Sequence, residues 1–184
     1  MLEQKNEILK SKQGSLVEAT ESDDRLLNIA GFAGLLTTGA AERSFELAST
    51  TPKKMATLLE AIPLIPSQKT RDSLSTQISE LLNDQQPIGV RLAAVKAISS
   101  INTDFSENFK AIAPLVSNPK LRESAVRVLL KIPRKHRDSL VSEQLASFLV
   151  KFAEDTPPAD RTSDALVEAM QLAAQTLGGW LITQ

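Results

Sequence analysis

Cysteine and tyrosine are absent from this chain of 184 residues, and histidine and tryptophan each occur once. Without cysteine, the chain holds no disulfide, no thiolate metal ligand, no cysteine nucleophile and no CxxCH motif for covalent haem attachment. Aromatic residues make up only 4% of the sequence, so few side chains are available for stacking on bases or sugar rings. The core must therefore be built mainly from Leu, Ile, Val and Ala.

An excess of charge of either sign is also missing, because 21 lysines and arginines stand against 22 aspartates and glutamates. The net charge of -1 gives no bulk attraction to nucleic acid or to an anionic membrane surface. No apolar run approaches the roughly 20 residues of a membrane helix, and the opening segment MLEQKNEILKSKQ is too polar for a signal peptide. We expect no nucleic-acid partner and no direct membrane insertion.

One segment of the sequence returns after 31 residues: VRLAAVKAISSI at 90–101 reappears as LRESAVRVLLKI at 121–132. The matched pairs are Val90 and Leu121, Arg91 and Arg122, Ala94 and Ala125, Val95 and Val126, Lys96 and Arg127, Ile98 and Leu129, and Ile101 and Ile132. Both copies have helical periodicity, and helical repeats of this period are typical of an α-solenoid. We predict an all-α fold, a right-handed α-α superhelix of HEAT-like or armadillo-like helix pairs.

Further copies extend the repeat along the chain. The pair Ile62-Pro63 returns as Ile132-Pro133, and the motif RDSL at 71–74 returns at 137–140. We therefore predict one HEAT-like repeat domain over 1–184. Its parts are a weak N-terminal cap helix at 1–22, helix-pair repeats at 23–156 and a C-terminal helix at 157–184.

Glycines and caps mark one helix with particular clarity, in the segment RLLNIAGFAGLLTTG that begins at Arg25. Asp23 or Asp24 is suited to cap its start, and Gly39 to end it. Gly31 and Gly34 inside the helix each cost about 1 kcal/mol relative to alanine. We expect a neighbouring helix to approach closely at these glycines.

Basic residues are the candidate partner contacts. If the repeats stack, four of them form a ladder on successive inner helices: Arg91, Lys96, Arg122 and Arg127. A second group is the turn at 134–137, which contains Lys135, Arg137 and the single histidine, His136. The alternatives are that arginine stems cover apolar surface between repeats and that the turn is a solvated connection.

Catalytic motifs are missing as well. The sequence has no Gly-rich phosphate loop, no GxSxG, no HExxH and no dinucleotide fingerprint, and His136 has no visible partner. The acidic pairs lie where helices start or end, which favours capping over catalysis: Asp23 with Asp24, Glu154 with Asp155, and Asp160 with Asp164. We predict that this chain is not an enzyme and holds no catalytic, cofactor or metal residue.

The segment from Leu121 to Leu181 resembles a known family. LRESAVRVLLKIPRKHRDSL, followed by TPPADRTSDALVEAMQLAAQTL, is similar to the helical-repeat region of the large planctomycete and verrucomicrobial proteins described as membrane-bound dehydrogenases or haem-binding proteins. The most specific stretches are PADRTS at 158–163 and MQL at 170–172, and GFAGLL at 31–36 is similar to upstream repeats.

That family consists of exported mosaics that join a sugar-dehydrogenase-type β-propeller, HEAT-like repeats, an azurin-like copper domain and a c-type cytochrome domain. The resemblance implies a non-catalytic HEAT-repeat scaffold that docks neighbouring domains within a larger exported, periplasmic redox protein. Haem c or copper would then belong to the neighbouring domains. This chain itself would carry no cofactor.

A second hypothesis is a free-standing adaptor that binds a peptide or helix of a partner protein on a concave face. A third, a DNA-acting lyase of HEAT-like fold, would need a basic groove with aromatic residues and a catalytic carboxylate. The composition argues against the third hypothesis.

Overall fold

A computed structural model describes residues 11–177. Over this range the chain forms eleven α-helices and four short 3-10 helices, without a strand. The α-helices are α1 Gln13–Thr20, α2 Arg25–Thr37, α3 Ala41–Ala48, α4 Pro52–Ala61, α5 Gln68–Asp72, α6 Ser75–Glu80, α7 Ile88–Ile98, α8 Phe105–Ile112, α9 Arg122–Lys131, α10 Ser139–Asp155 and α11 Asp164–Leu177. The 3-10 helices are Ile62–Leu64, Ala113–Ser117, Arg134–His136 and Pro158–Asp160. The all-α prediction is confirmed.

Polar caps begin several helices, as the sequence indicates. The side chain of Asp24 accepts a hydrogen bond from the backbone amide of Leu26 at 2.7 Å, and Asp138 does the same for Val141 at 3.0 Å. Each cap satisfies an amide that has no partner inside its helix. Pro52 is the first residue of α4, where it removes no helical hydrogen bond.

A glycine and a proline mark the ends of two helices, and the glycine, Gly39, lies where it was predicted. Gly39 follows α2 with φ of 86°, a left-handed conformation that glycine adopts without a Cβ penalty. The α8 helix stops at Ile112, and Pro114 lies in the 3-10 helix that continues it. A proline disfavours continuation of an α-helix, which accounts for the end of α8 before Pro114.

The chain divides into two compact units, with the boundary between Thr103 and Asp104. In the first unit, α2 packs against α1 and α4, and α4 also packs against α3 and α7. The almost fully buried side chains of this unit include Phe32, Leu35, Leu36, Leu58, Leu59, Ile62, Ile65, Leu74 and Ile78. Apart from Phe32 these side chains are aliphatic, as the composition predicts.

Close packing of α1 on α2 explains the two glycines within α2. A Cβ added to Gly31 would lie 2.9 Å from the carbonyl oxygen of Leu16 and 2.9 Å from the amide nitrogen of Thr20. A Cβ added to Gly34 would lie 2.6 Å from a methyl group of Leu16. The predicted close approach of a neighbouring helix is confirmed, and the neighbour is α1.

The second unit is built from α8 to α11. The α10 helix packs against α11 and against the 3-10 helix Ala113–Ser117, and α9 contacts both of these elements. Its almost fully buried side chains include Phe109, Ile112, Val116, Leu121, Val126, Leu129, Leu149 and Leu172. This unit supplies the groove described below.

The repeated segments agree in burial as well as in sequence. Every apolar matched pair is buried on both sides: Val90 and Leu121, Ala94 and Ala125, Val95 and Val126, Ile98 and Leu129, and Ile101 and Ile132. Arg91 and Arg122 are both half-buried, and Lys96 and Arg127 are both exposed. The two copies therefore place equivalent side chains in equivalent environments.

The stacking of the copies as a solenoid, and one domain over 1–184, remain predictions. The predicted cap helix at 1–22 corresponds to α1 from Gln13 onward, and its first ten positions lie outside the described residues. The predicted C-terminal helix at 157–184 corresponds to α11, and the residues after Leu177 also lie outside. None of the helices between residues 11 and 177 combines the length and apolar composition that crossing a bilayer demands.

Candidate functional site

Three of the candidate contact arginines donate hydrogen bonds to backbone carbonyls that lie five to nine residues earlier in the chain. We call Arg91, Arg122 and Arg137 the clasp arginines. Their Nε atoms donate to Leu82 at 3.1 Å, to Val116 at 2.9 Å and to Ile132 at 3.0 Å, in that order. Carbonyls near helix ends lack a partner within the helix, so each clasp arginine satisfies one and closes a connection.

Arg137 donates more hydrogen bonds than the other two clasp arginines. Its Nη2 donates to the carbonyl of Leu129 at 3.2 Å and to the side-chain oxygen of Gln175 at 3.1 Å, while its buried Nη1 has no partner among the described residues. Burial lowers the pKa of Arg137, and the nearby charge of Arg134 lowers it further. The carbonyl contacts make Arg137 a structural residue of its connection.

The remaining candidate contacts are exposed. Arg127 pairs with Glu123 at 2.8 Å and with Glu168 at 2.9 Å, and the hydrogen bond that it donates to Glu168 raises the pKa of Arg127. Lys96 and Lys135 are exposed to solvent. In each copy of the repeat, the arginine near the helix start acts as a clasp and the later cation faces solvent. The alignment of the four residues as a ladder remains a prediction.

His136 has a structural neighbour. Its ring lies against the ring of Phe105, with centroids 5.3 Å apart and the planes tilted by 33°. Among residues 11–177, no three His, Asp or Glu side chains are grouped so as to hold a metal ion. The acidic pairs lie at helix ends as predicted, and Asp24 is the member with a capping hydrogen bond.

An open groove lies between the 3-10 helix Ala113–Ser117 and α10, and we call it the unit 2 groove. It encloses about 260 Å³, and its lining residues are Ala113, Pro114, Ser117, Val141, Gln144, Leu145 and Phe148. The α10 residues recur at intervals of three and four, which places them on one helix face. Ala113 and Leu145 are buried at the base, whereas Pro114 and Gln144 are exposed at the rim.

A guanidinium group lies beside one lining residue of this groove, Phe148. The guanidinium carbon of Arg122 lies 5.6 Å from the ring centroid of Phe148, a lining residue, and 4.2 Å from that of Phe152, one turn further along α10. These are cation–π distances. Burial lowers the pKa of Arg122, and none of the ion pairs among the described residues involves it.

Sequence reasoning missed this groove. The sequence indicates an apolar helical stripe that contains Val141, Leu145, Phe148 and Phe152. A stripe alone does not show which of its residues are covered by another element. Two further arginine contacts were also missed. Arg71 donates to the carbonyls of Ile65 and Ser100, and Arg161 donates to that of Thr156 at 3.1 Å.

The structure alone defines the class of this protein. No protein-family model matches the chain, and neither a curated protein nor a solved structure matches it. The class that the structure defines is an all-α protein with two compact helical units and a repeated helix.

Proposed function

We propose that this chain is a non-catalytic helical-repeat scaffold that docks other protein domains. The observation that carries the proposal is the shared burial of the repeated segments, which keep the same positions apolar, clasped or exposed. Helix repeats of this kind build extended surfaces for binding protein. The open groove beside α10 supplies a surface of the required type.

The finer form of the proposal is a spacer within a larger exported redox protein. Its support is the resemblance of 121–181 to the helical-repeat region of the planctomycete and verrucomicrobial dehydrogenase or haem-binding proteins. In this form the array holds a cofactor domain at a set distance from its electron acceptor, and haem c or copper belongs to those neighbouring domains.

Reading the parent gene on both sides of Met1 and Gln184 tests the spacer. The expected result is a signal peptide and a propeller upstream, with a copper domain or a CxxCH motif downstream. A gene that encodes only these 184 residues would overturn the spacer.

The second candidate function is a free-standing adaptor for a peptide or helix of another protein. The unit 2 groove favours it, because an apolar base with an exposed rim suits an anchoring side chain. The two forms share the docking role. They differ in whether the docked element belongs to the same polypeptide.

A further inference from the structure

The unit 2 groove has the size of a side-chain pocket. Its volume of about 260 Å³ lies below the roughly 300–1,000 Å³ of pockets that enclose whole small-molecule ligands. The base is made by Ala113, Leu145 and the ring of Phe148, so the interior favours apolar atoms. These features suit one or two large apolar side chains that project from a peptide.

Arg122 provides a positive charge beside Phe148, a lining residue of the groove. Its Nε donates to Val116, and its Nη2 reaches the carbonyl of Ser117 at 3.4 Å. Its Nη1 donates to no acceptor within residues 11–177 and is not among the buried unpaired atoms. A half-buried guanidinium with free donors and no carboxylate partner is complementary to an incoming carboxylate, because a charge-assisted hydrogen bond is stronger than a neutral one.

Gln144 adds a polar contact on the rim. It is exposed, and its amide makes no hydrogen bond with the described residues. An amide can both donate to and accept from a peptide backbone.

We propose that the unit 2 groove binds an acidic peptide segment, with a large apolar side chain against Leu145 and Phe148 and a neighbouring carboxylate at Arg122. This inference rests on the proposed docking function and names the chemistry of the docked element. The aromatic rings hold the guanidinium in place, and the apolar base supplies the anchor site.

Nuclear magnetic resonance titration of the full chain tests the proposal. The probe is a short synthetic peptide with a central leucine-phenylalanine pair flanked by glutamates, and the matched probe carries lysine in place of every glutamate. We expect the acidic peptide to shift the backbone amides of 113–117 and 141–148, and the basic peptide to bind at least about tenfold more weakly.

Two pairs of charge variants localise the effect. Gln144→Glu should weaken binding of the acidic peptide by about twofold to fivefold, and Gln144→Lys should strengthen it by a similar factor. The controls are Ser147→Glu and Ser147→Lys, which change charge at an exposed position of α10 outside the lining set. The control pair should leave the affinity nearly unchanged.

Several outcomes would overturn the inference. They are equal affinity for the two peptides, shifts confined to other elements, and the absence of binding. Concentration-dependent shifts of the same amides without peptide would assign the groove to a second copy of the chain.

The single tryptophan, Trp180, tests occupation by the chain's own C-terminal residues. A red shift of its emission on addition of peptide would assign the groove to residues 178–184 and overturn the inference. Each of these failures leaves the scaffold proposal standing, because that proposal has separate tests in the parent gene and in the cross-linking experiment described in the Discussion.

Discussion

Substitution of Gly31 by alanine should destabilise the first unit, although alanine normally favours a helix. The new Cβ would lie 2.9 Å from the carbonyl oxygen of Leu16 and 2.9 Å from the amide nitrogen of Thr20. Both atoms belong to the backbone of α1. They cannot rotate away, so α1 must move from α2.

The magnitude follows from two opposing terms. Replacing a mid-helix glycine with alanine contributes about 1 kcal/mol of helix propensity, while overpacking a close contact costs about 1–3 kcal/mol. We expect Gly31→Ala to lower the free energy of unfolding by about 1–2 kcal/mol. The overpacking cost should lie at the upper end of its range because backbone atoms form the contact.

Two other glycines provide matched controls. Gly34→Ala meets a terminal methyl group of Leu16 at 2.6 Å, and a leucine end can rotate, so its cost should be smaller than that of Gly31→Ala. Gly14, in α1 itself, has nothing within 4 Å of an added Cβ. Gly14→Ala should therefore stabilise the protein by up to about 1 kcal/mol.

Urea denaturation followed by far-ultraviolet circular dichroism measures all three variants. The expected order of the unfolding midpoints is Gly14→Ala highest, then Gly34→Ala, then Gly31→Ala, at similar dependence on urea. A Gly31→Ala protein as stable as the wild type would refute the close packing of α1 on α2.

Three further predictions concern the second unit. Arg137→Met should lower the free energy of unfolding by about 1–3 kcal/mol, because the carbonyl of Ile132 loses its donor; Arg134→Met, at an exposed neighbour, should leave the urea midpoint almost unchanged. Phe109→Ala empties a fully buried site and should cost about 3–5 kcal/mol in calorimetric unfolding, and a cost below about 1 kcal/mol would contradict the described core. Asp138→Ala removes the cap of α10 and should cost about 1 kcal/mol by thermal unfolding, with Asp138→Ser restoring most of it.

Local rules predicted much of the helical framework from the residues. Asp24 and Gly39 each lie where the capping of a helix requires them, and capping is an effect of neighbouring residues. The close approach at Gly31 was also predictable, because a glycine inside a helix needs a packing reason. The partner helix was not, since no local signal names it.

The RDSL motif shows where local sequence is insufficient. In its first copy, Arg71 lies inside α5, because Ser67 caps that helix by accepting from Thr70 at 3.2 Å. In its second copy, Arg137 precedes α10, because Asp138 is the cap. The same four letters therefore occupy different positions relative to the helix start.

The candidate contacts show a second limit. The repeat correctly paired Arg91 with Arg122 but did not reveal that both guanidinium groups turn toward backbone carbonyls. The direction of each guanidinium depends on the segment before its helix, and these segments differ between the two copies. The groove at Phe148 depends on the position of the 3-10 helix beside α10, which is a tertiary contact.

The docking role is tested most directly by lysine-reactive cross-linking in cells that make the natural protein, followed by mass spectrometry. Lys96 and Lys135 are exposed and provide reactive positions in both units. Our account predicts cross-links from these lysines to other domains of the same polypeptide for the spacer, or to a separate protein for the adaptor. Cross-links confined to residues 1–184 would contradict the docking role in both forms.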